Sequence, residues 1–400
     1  MVGRWRALLI LFLALALAKP VSGQAQAPAV GAPVLIGLDA EFGNPTSTSA
    51  QAIRSGIDQA ITEINGSGGV LGGRPLRLES RDNRSVPARA LRNIAELAAL
   101  PDMVAVFCGK FSPVAQEAIP LVHALGLIYL DPWAAADAIL DHGYVPSYVF
   151  RLSLRDSWAM AALLDAARAR GLDTVGLLVP NTSWGRSSLK AAEADVATHG
   201  GPTVTATEWY DWGEAEMAAH YAALHVTAAK AVVMVANERE GSLLVRAIGR
   251  LPAAERLPVF SHWGITGGNF PALAGTALAE VDLSVVQTFT FVDNPRPEAQ
   301  RLGAALAGVL GVDGPGRIPS PVGVAHAYDL TRILALAIDL AGTTERARVR
   351  DALEQVRGYQ GVTRDFDQPF TAGRHEALTP AAVFLARYRA DGTLVPITPP

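Results

Sequence analysis

Ser112 followed by Pro113 carries the clearest local chemistry in this chain. Serine caps helices and proline suits their first turn, so a helix should start there with unpaired N–H groups and a positive dipole end facing outward. That arrangement seats an anion such as a carboxylate. Trp133, Trp184 and Trp263 each offer a flat apolar face and one N–H donor, suited to an apolar or aromatic group. Trp133 sits in Asp131-Pro132-Trp133-Ala134-Ala135, a turn stiffened by proline, in which Trp133 and Ala134 can present backbone groups. Asn237-Glu238 follows the apolar run Val232–Ala236, and Phe42 with Glu41 follows the first such run as a candidate wall and polar partner. Each of these also has a plain reading, as helix cap, core residue or solvated turn.

Chemistry of other kinds lacks its constellations. There is no Gly-x4-Gly-Lys-Ser/Thr phosphate loop, no Gly-x-Ser-x-Gly elbow and no His-Glu-x-x-His pair, and the 8 histidines are scattered. No catalytic residue, metal site or cofactor is therefore expected. Cys108, the single cysteine, lies in the apolar run Met103–Cys108 and reads as a small buried hydrophobe. Asp365-Phe366-Asp367-Gln368 resembles a fragment of a calcium loop whose remaining ligands do not follow, so it reads as a turn with solvated carboxylates.

The groups that could bind must be held by a framework, and the chain supplies one in an ordered way. Arg4 and Arg6 precede the apolar run Ala7–Ala18, which is too short for a permanent span and reads as a signal peptide cleaved after Val21-Ser22-Gly23. No cysteine stands just after it, so a lipoprotein is not expected. Removing residues 1–23 takes away Arg4, Arg6 and Lys19, lowering 34 basic residues to 31 against 38 acidic, so the net charge moves from −4 to −7 and argues against nucleic acid as a partner. The remaining length exceeds what one core usually holds, which favours two lobes.

From Pro33 short apolar β-branched runs alternate with helix-period stretches. Strands are expected at Val34–Leu38, Leu76–Leu78, Val104–Phe107, Leu127–Leu130, Val175–Val179, Val204–Thr207, Val232–Val235, Val259-Phe260 and Val281–Val286. Helices are expected between most of them, then at Pro297–Leu310, Gly323–Ala341 and Arg346–Val356, with a late apolar run at Ala382–Tyr388. The βαβα order predicts an α/β fold of doubly wound parallel sheets. His326 and Tyr328 in the long late helix read as core or hinge residues.

The stretch Gly56–Leu76, GIDQAITEINGSGGVLGGRPL, together with Ile36-Gly37-Leu38 before it, resembles the type I periplasmic binding proteins, the group containing the leucine/isoleucine/valine receptors of ABC importers. Weaker likeness runs through Gly109–Pro120, Asp131–Ala135 and Thr182–Gly185. The resemblance implies two parallel-sheet lobes joined by three crossing segments, placed near Arg151, Gln287 and Asp365. Lobe one would hold 34–151 plus 288–365, and lobe two 152–287 plus 366–400. It further implies that Ser112 helps hold a ligand carboxylate, that Trp133, Ala134 and Ala135 form the gripping loop, and that Trp184 packs on the ligand from lobe two. Two positions depart from the pattern: Ala135 stands where a threonine hydroxyl is expected, and Trp263 where an acidic residue meets an ammonium group. Glu238 could replace that charge. The implied protein is a monomeric periplasmic binder of an amino acid or related small carboxylate or amide, serving an ABC transporter permease. A ligand-sensing receptor and a periplasmic enzyme on the same fold are the alternatives.

Overall fold

The computed structural model describes residues 31–397. The leader and its cleavage site lie outside the described residues. The first lobe opens with β1 (Val34–Ala40), α1 (Ser49–Gly66), β2 (Leu76–Asp82), α2 (Pro87–Ala98), β3 (Met103–Cys108), α3 (Ser112–Ala124), β4 (Ile128–Asp131) and β5 (Val149–Arg151). These strands make a wholly parallel sheet of order β2-β1-β3-β4-β5. Strands β1 and β3 are buried along their whole length, as parallel strands covered on both faces must be.

The second lobe follows with α4 (Asp156–Ala169), β6 (Thr174–Pro180), α5 (Ser183–His199), β7 (Thr203–Tyr210), α6 (Ala218–His225), β8 (Ala231–Met234), α7 (Glu238–Gly249), β9 (Val259–Ser261), α8 (Phe270–Ala274) and β10 (Leu283–Gln287). The chain then returns to the first lobe as α9 (Pro297–Leu310), α10 (Pro321–Ala341), α11 (Arg346–Leu353) and the hairpin of β11 (Tyr359–Gln360) and β12 (Asp365–Phe366). It ends on the second sheet with β13 (Phe384–Tyr388) and β14 (Leu394–Pro396), giving the order β14-β13-β10-β9-β8-β6-β7. The five strands from β7 to β10 are parallel; β13 and β14 run antiparallel and close one edge. The doubly wound, two-lobed α/β fold is therefore as expected, with an antiparallel edge added.

The signature stretch has a packing cause. Helix α10 is buried on most faces and lies along α1, where a Cβ on Gly56 would come within 2.2 Å of the Val324 carbonyl oxygen. Only glycine lets the two backbones approach so closely. An Arg301–Glu63 ion pair of 2.7 Å ties α9 to α1, and Arg346 Nε donates to the Met103 carbonyl at 2.8 Å, tying α11 to the first sheet.

Three passages join the lobes. The first leaves β5 at Arg151 and the second leaves β10 at Gln287. The third was expected near Asp365, and the structure moves it. Asp365 pairs with Gln360 in the hairpin and forms an ion pair with Arg296, so it belongs to the first lobe. The chain crosses later, where His375–Ala377 runs beside Arg151: Arg151 N–H donates to the His375 carbonyl and Ala377 N–H to the Arg151 carbonyl, both at 2.9 Å. A polar turn read as a boundary is in fact a hairpin held by an arginine.

Candidate functional site

The carboxyl ends of both sheets face each other across a cleft, the place where open α/β sheets bind ligands. From the first lobe, β3 delivers Lys110, Phe111 and Ser112, and β4 delivers the loop from Pro132 to Ala136. From the second, α5 brings Trp184, β8 leads to Asn237 and Glu238, and β9 leads to His262, Trp263 and Gly264. A small cavity of about 10 Å³ remains between them, lined by Lys110, Phe111, Ser112, Trp133, Ala135, Trp184, Asn237 and Gly264. Five of these, Ser112, Trp133, Ala135, Trp184 and Asn237, are sites picked from sequence.

The details correct several expectations. Helix α3 does begin at Ser112, but its cap is Phe111 and Ser112 caps nothing. The Ser112 hydroxyl oxygen instead accepts N–H bonds from Ala135 and Ala136, each at 3.2 Å, which leaves its O–H to donate toward the cavity. The N–H groups of Trp133 and Ala134 were expected to face a ligand. Both go to Asp131 Oδ1, at 2.9 and 2.7 Å, because a buried carboxylate must find donors. Ala134 is packed among the core side chains around Cys108 and does not reach the cavity. Phe42 is half-buried against the main core and does not line it either.

Trp133 and Trp263 are buried and tilted against each other, with ring centroids 5.7 Å apart. Trp184 donates its indole N–H to Asp156 Oδ1 at 3.1 Å, and His262 Nε2 lies 3.1 Å from the same oxygen. His326 bridges a cleft loop to the second passage: Nδ1 lies 3.0 Å from the Pro132 carbonyl and Nε2 3.1 Å from Thr288 Oγ1. Burial pushes this imidazole down to about 4 despite the Pro132 bond, so it is neutral at pH 7 and acts as a strut.

Two buried charge systems frame the cleft. Arg151 is fully buried and makes a bidentate pair with Glu376, Nε to Oε1 at 2.8 Å and Nη2 to Oε2 at 2.7 Å, while Nη1 donates to the Ala136 carbonyl at 2.9 Å. One side chain thus ties the first passage, the third passage and the cleft loop. Lys110 Nζ lies 2.6 Å from Glu238 Oε2 across the lobes. Burial acts to raise the Glu238 carboxyl, but the charge and hydrogen bond of Lys110, with help from Thr46, outweigh it and hold it below the usual range. Glu238, considered from sequence as a substitute charge for a ligand, is thus already partnered. Lys110 and Phe111 escaped the sequence reading. The signal was present in Lys110 itself, a lysine set between a buried strand and a helix start, where charge is costly unless paired.

Asp131 is held by Cys108 as well, whose Sγ donates to Oδ1 at 3.4 Å. Burial pushes Asp131 up to about 7, against the opposing charge of Arg151, and pushes the Cys108 thiol well up, as befits an inert core cysteine. Among the described residues no group of histidine, cysteine and acidic side chains could hold a metal, and no helix is long and apolar enough to cross a membrane.

Two wound lobes, three passages and facing strand ends define a clamp of the periplasmic binding type. The periplasmic binding protein family matches residues 33–393, and the chain belongs to that family. No curated protein matches the chain at a significant level. Among solved structures, the chain is similar to a type 1 periplasmic binding protein from Bordetella pertussis Tohama I, at 23% identity and TM-score 0.82, covering 91% of this chain and 100% of that one. It is also similar to the branched-chain amino acid transporter substrate-binding protein LivJ of Streptococcus pneumoniae, solved with isoleucine, at 18% identity and TM-score 0.76, covering 91% and 100%. A solute-binding protein from R. palustris, solved with 4-hydroxybenzoate, aligns at 17% identity and TM-score 0.77, covering 92% and 96%.

Proposed function

We propose that this protein is the periplasmic solute-binding component of an ABC importer, capturing an amino acid or a related small carboxylate or amide by lobe closure. The observation that carries this reading is the meeting of Ser112, Trp133 and Ala135 of one lobe with Trp184, Asn237 and Gly264 of the other around a gap of about 10 Å³, room for about one water, so that a ligand enters with the lobes parted. A ligand there touches both lobes, so it favours the closed state by contacts the open state lacks. Lobe one would comprise about 34–151 and 297–375, lobe two about 156–287 and 384–397, flexing at the three passages. The closed pair of lobes is the surface a membrane permease would recognise, and the mature chain works as a monomer in the periplasm after its leader is removed. The resemblance of the fold to receptors of isoleucine and of 4-hydroxybenzoate supports a ligand of that size.

The test is a thermal-shift screen of residues 24–400 against amino acids, aromatic acids, amides and short carboxylates, after partial unfolding to strip carried-over ligand. A ligand at 100 times its dissociation constant adds about 2.7 kcal/mol of stability, a readily measured rise in Tm. A Trp184→Ala variant should lose that rise. A full screen without any rise, confirmed by titration calorimetry, overturns the reading.

A further inference from the structure

The two lobes also bond to each other directly. The segment Thr46–Thr48, between β1 and α1 of lobe one, lies antiparallel to Gly267–Asn269 of lobe two, with Ser47 paired to Gly268. Thr48 N–H donates to the Gly267 carbonyl at 2.8 Å and Asn269 N–H to the Thr46 carbonyl at 3.3 Å. Hydroxyls add to this strap: Ser47 donates to the Gly267 carbonyl at 3.0 Å, and Ser320, just before α10, donates to the Thr266 carbonyl at 3.1 Å. Beside it Glu238 of lobe two gives both carboxylate oxygens to lobe one, accepting from Thr46 at 2.9 Å and pairing with Lys110 at 2.6 Å.

One glycine makes the strap possible. Gly268 has an extended backbone, φ −164°, which any residue adopts, so conformation does not call for glycine there. Close approach does, because a Cβ would lie 2.1 Å from the Thr46 carbonyl oxygen of the other lobe. What the strap holds together has little room. With it made, the gap among the cleft residues is about 10 Å³, enough for about one water. A solute of amino-acid size cannot share that gap, so strap and solute compete, and solute binds only the fraction of molecules whose strap is open. Solute-bound closure is then a wider arrangement, in which contacts to the solute replace contacts between the lobes.

We propose that this strap is an autoinhibitory contact, holding the lobes shut on each other so that solute must displace it before being clamped. The proposal rests on the solute-binding reading above and adds to it a self-closed state that lowers apparent affinity.

The test compares the mature protein with Gly268→Ala, whose methyl group forces Thr46 away. Without added solute, hydrogen exchange at the Thr48 and Asn269 amides reads the strap and small-angle X-ray scattering reads the spread of the lobes. Both amides should be protected in wild type and exchange at least about tenfold faster in the variant, with a larger radius of gyration, while amides of β1, β3 and β8 keep their protection. Isoleucine, 4-hydroxybenzoate and any compound that raises Tm in the screen above are then titrated by calorimetry into both proteins. A compound that binds should bind the variant about tenfold more tightly, because more of it is competent. Thr46→Val, which removes a hydroxyl, moves each readout the same way by a smaller factor and decides the matter where Gly268→Ala fails to fold. Wild-type strap amides that exchange as fast as exposed loop amides, or a variant that binds no more tightly than wild type, overturn the strap's role while leaving the binding reading standing. Failure of every compound to bind either protein overturns both.

Discussion

Glu376→Ala should destabilise the protein by about 3–5 kcal/mol, the cost of stranding a buried charge by removing its partner. Arg151 has no exposure, and both oxygens of Glu376 are engaged by its guanidinium. Arg155 Nη1 stands 3.7 Å from Glu376 and adds a second positive charge that the substitution would leave less balanced. The remaining Arg151 bonds, to the Ala136 and Ala134 carbonyls at 2.9 and 3.4 Å, are to neutral acceptors and do not neutralise it. Glu376→Gln keeps the volume and one acceptor but loses the charge and turns an NH2 toward a guanidinium N–H, so its cost should approach that of the alanine variant. The double substitution Arg151→Met/Glu376→Leu should recover much of the loss, since buried pairs can be replaced by apolar groups at little net cost. Urea unfolding, followed by tryptophan fluorescence, of wild type, Glu376→Ala, Glu376→Gln, Arg151→Met, Glu376→Leu and the double substitution measures each term, the last three closing a double-mutant cycle with wild type. A Glu376→Ala loss below about 1 kcal/mol, or a double substitution costing the sum of its parts, would refute the view that this pair clamps the passages.

Trp184→Phe removes the indole donor from Asp156, already short of partners at Oδ2, and should cost about 1–3 kcal/mol in urea unfolding while weakening ligand binding. Gly56→Ala forces a methyl group into the Val324 carbonyl and should cost about 1–3 kcal/mol in urea unfolding, and since Gly323 beside Val324 lies against the Trp133 ring, ligand affinity should fall with it. The pH dependence can be assigned through Asp131. Its carboxyl, raised from 3.8 to about 7 by burial, keeps its proton in the folded state while the unfolded chain loses it, so its contribution to stability falls as pH rises from about 4 to about 7. Asp131→Asn should therefore show a shallower fall, or a steeper rise, of unfolding free energy between pH 5 and 7.5 than wild type; identical slopes would show that Asp131 does not titrate there.

Periodicity was a sound guide wherever burial alone decides the outcome. The nine strand runs picked from sequence all fall on strands; seven are buried nearly throughout, as parallel strands covered on both faces must be, while β2 and β7 are partly exposed sheet edges. Val149–Arg151 was missed since three residues ending in arginine carry no period, and its place in the sheet depends on the neighbour β4 and on His375–Ala377. The same logic moved the third passage. Asp365 lies in a polar turn like any boundary, and only its long-range partner Arg296, 69 residues earlier, reveals that it stays in the first lobe.

The candidate site was legible to a different degree, and the reason lies in where its hydrogen bonds go. Sequence can mark which residues reach a cleft, because strand ends and helix starts put them there, and Ser112, Trp133, Ala135, Trp184 and Asn237 converge accordingly. It cannot say which of their polar groups remain available. Asp131 takes the Trp133 and Ala134 N–H groups, Ser112 takes those of Ala135 and Ala136, and Lys110 takes Glu238. Every one of these partners is either two or three residues away around a proline turn or far off in the chain on a facing element. The first kind could have been argued, since an aspartate before Pro132 favours an Asx-type turn. The second kind could not, because the Lys110–Glu238 separation of 128 residues has no local trace. Of these partnerings only Lys110–Glu238 spans the two lobes, so it alone depends on how the lobes meet, while those of Asp131 and Ser112 belong to the first lobe by itself.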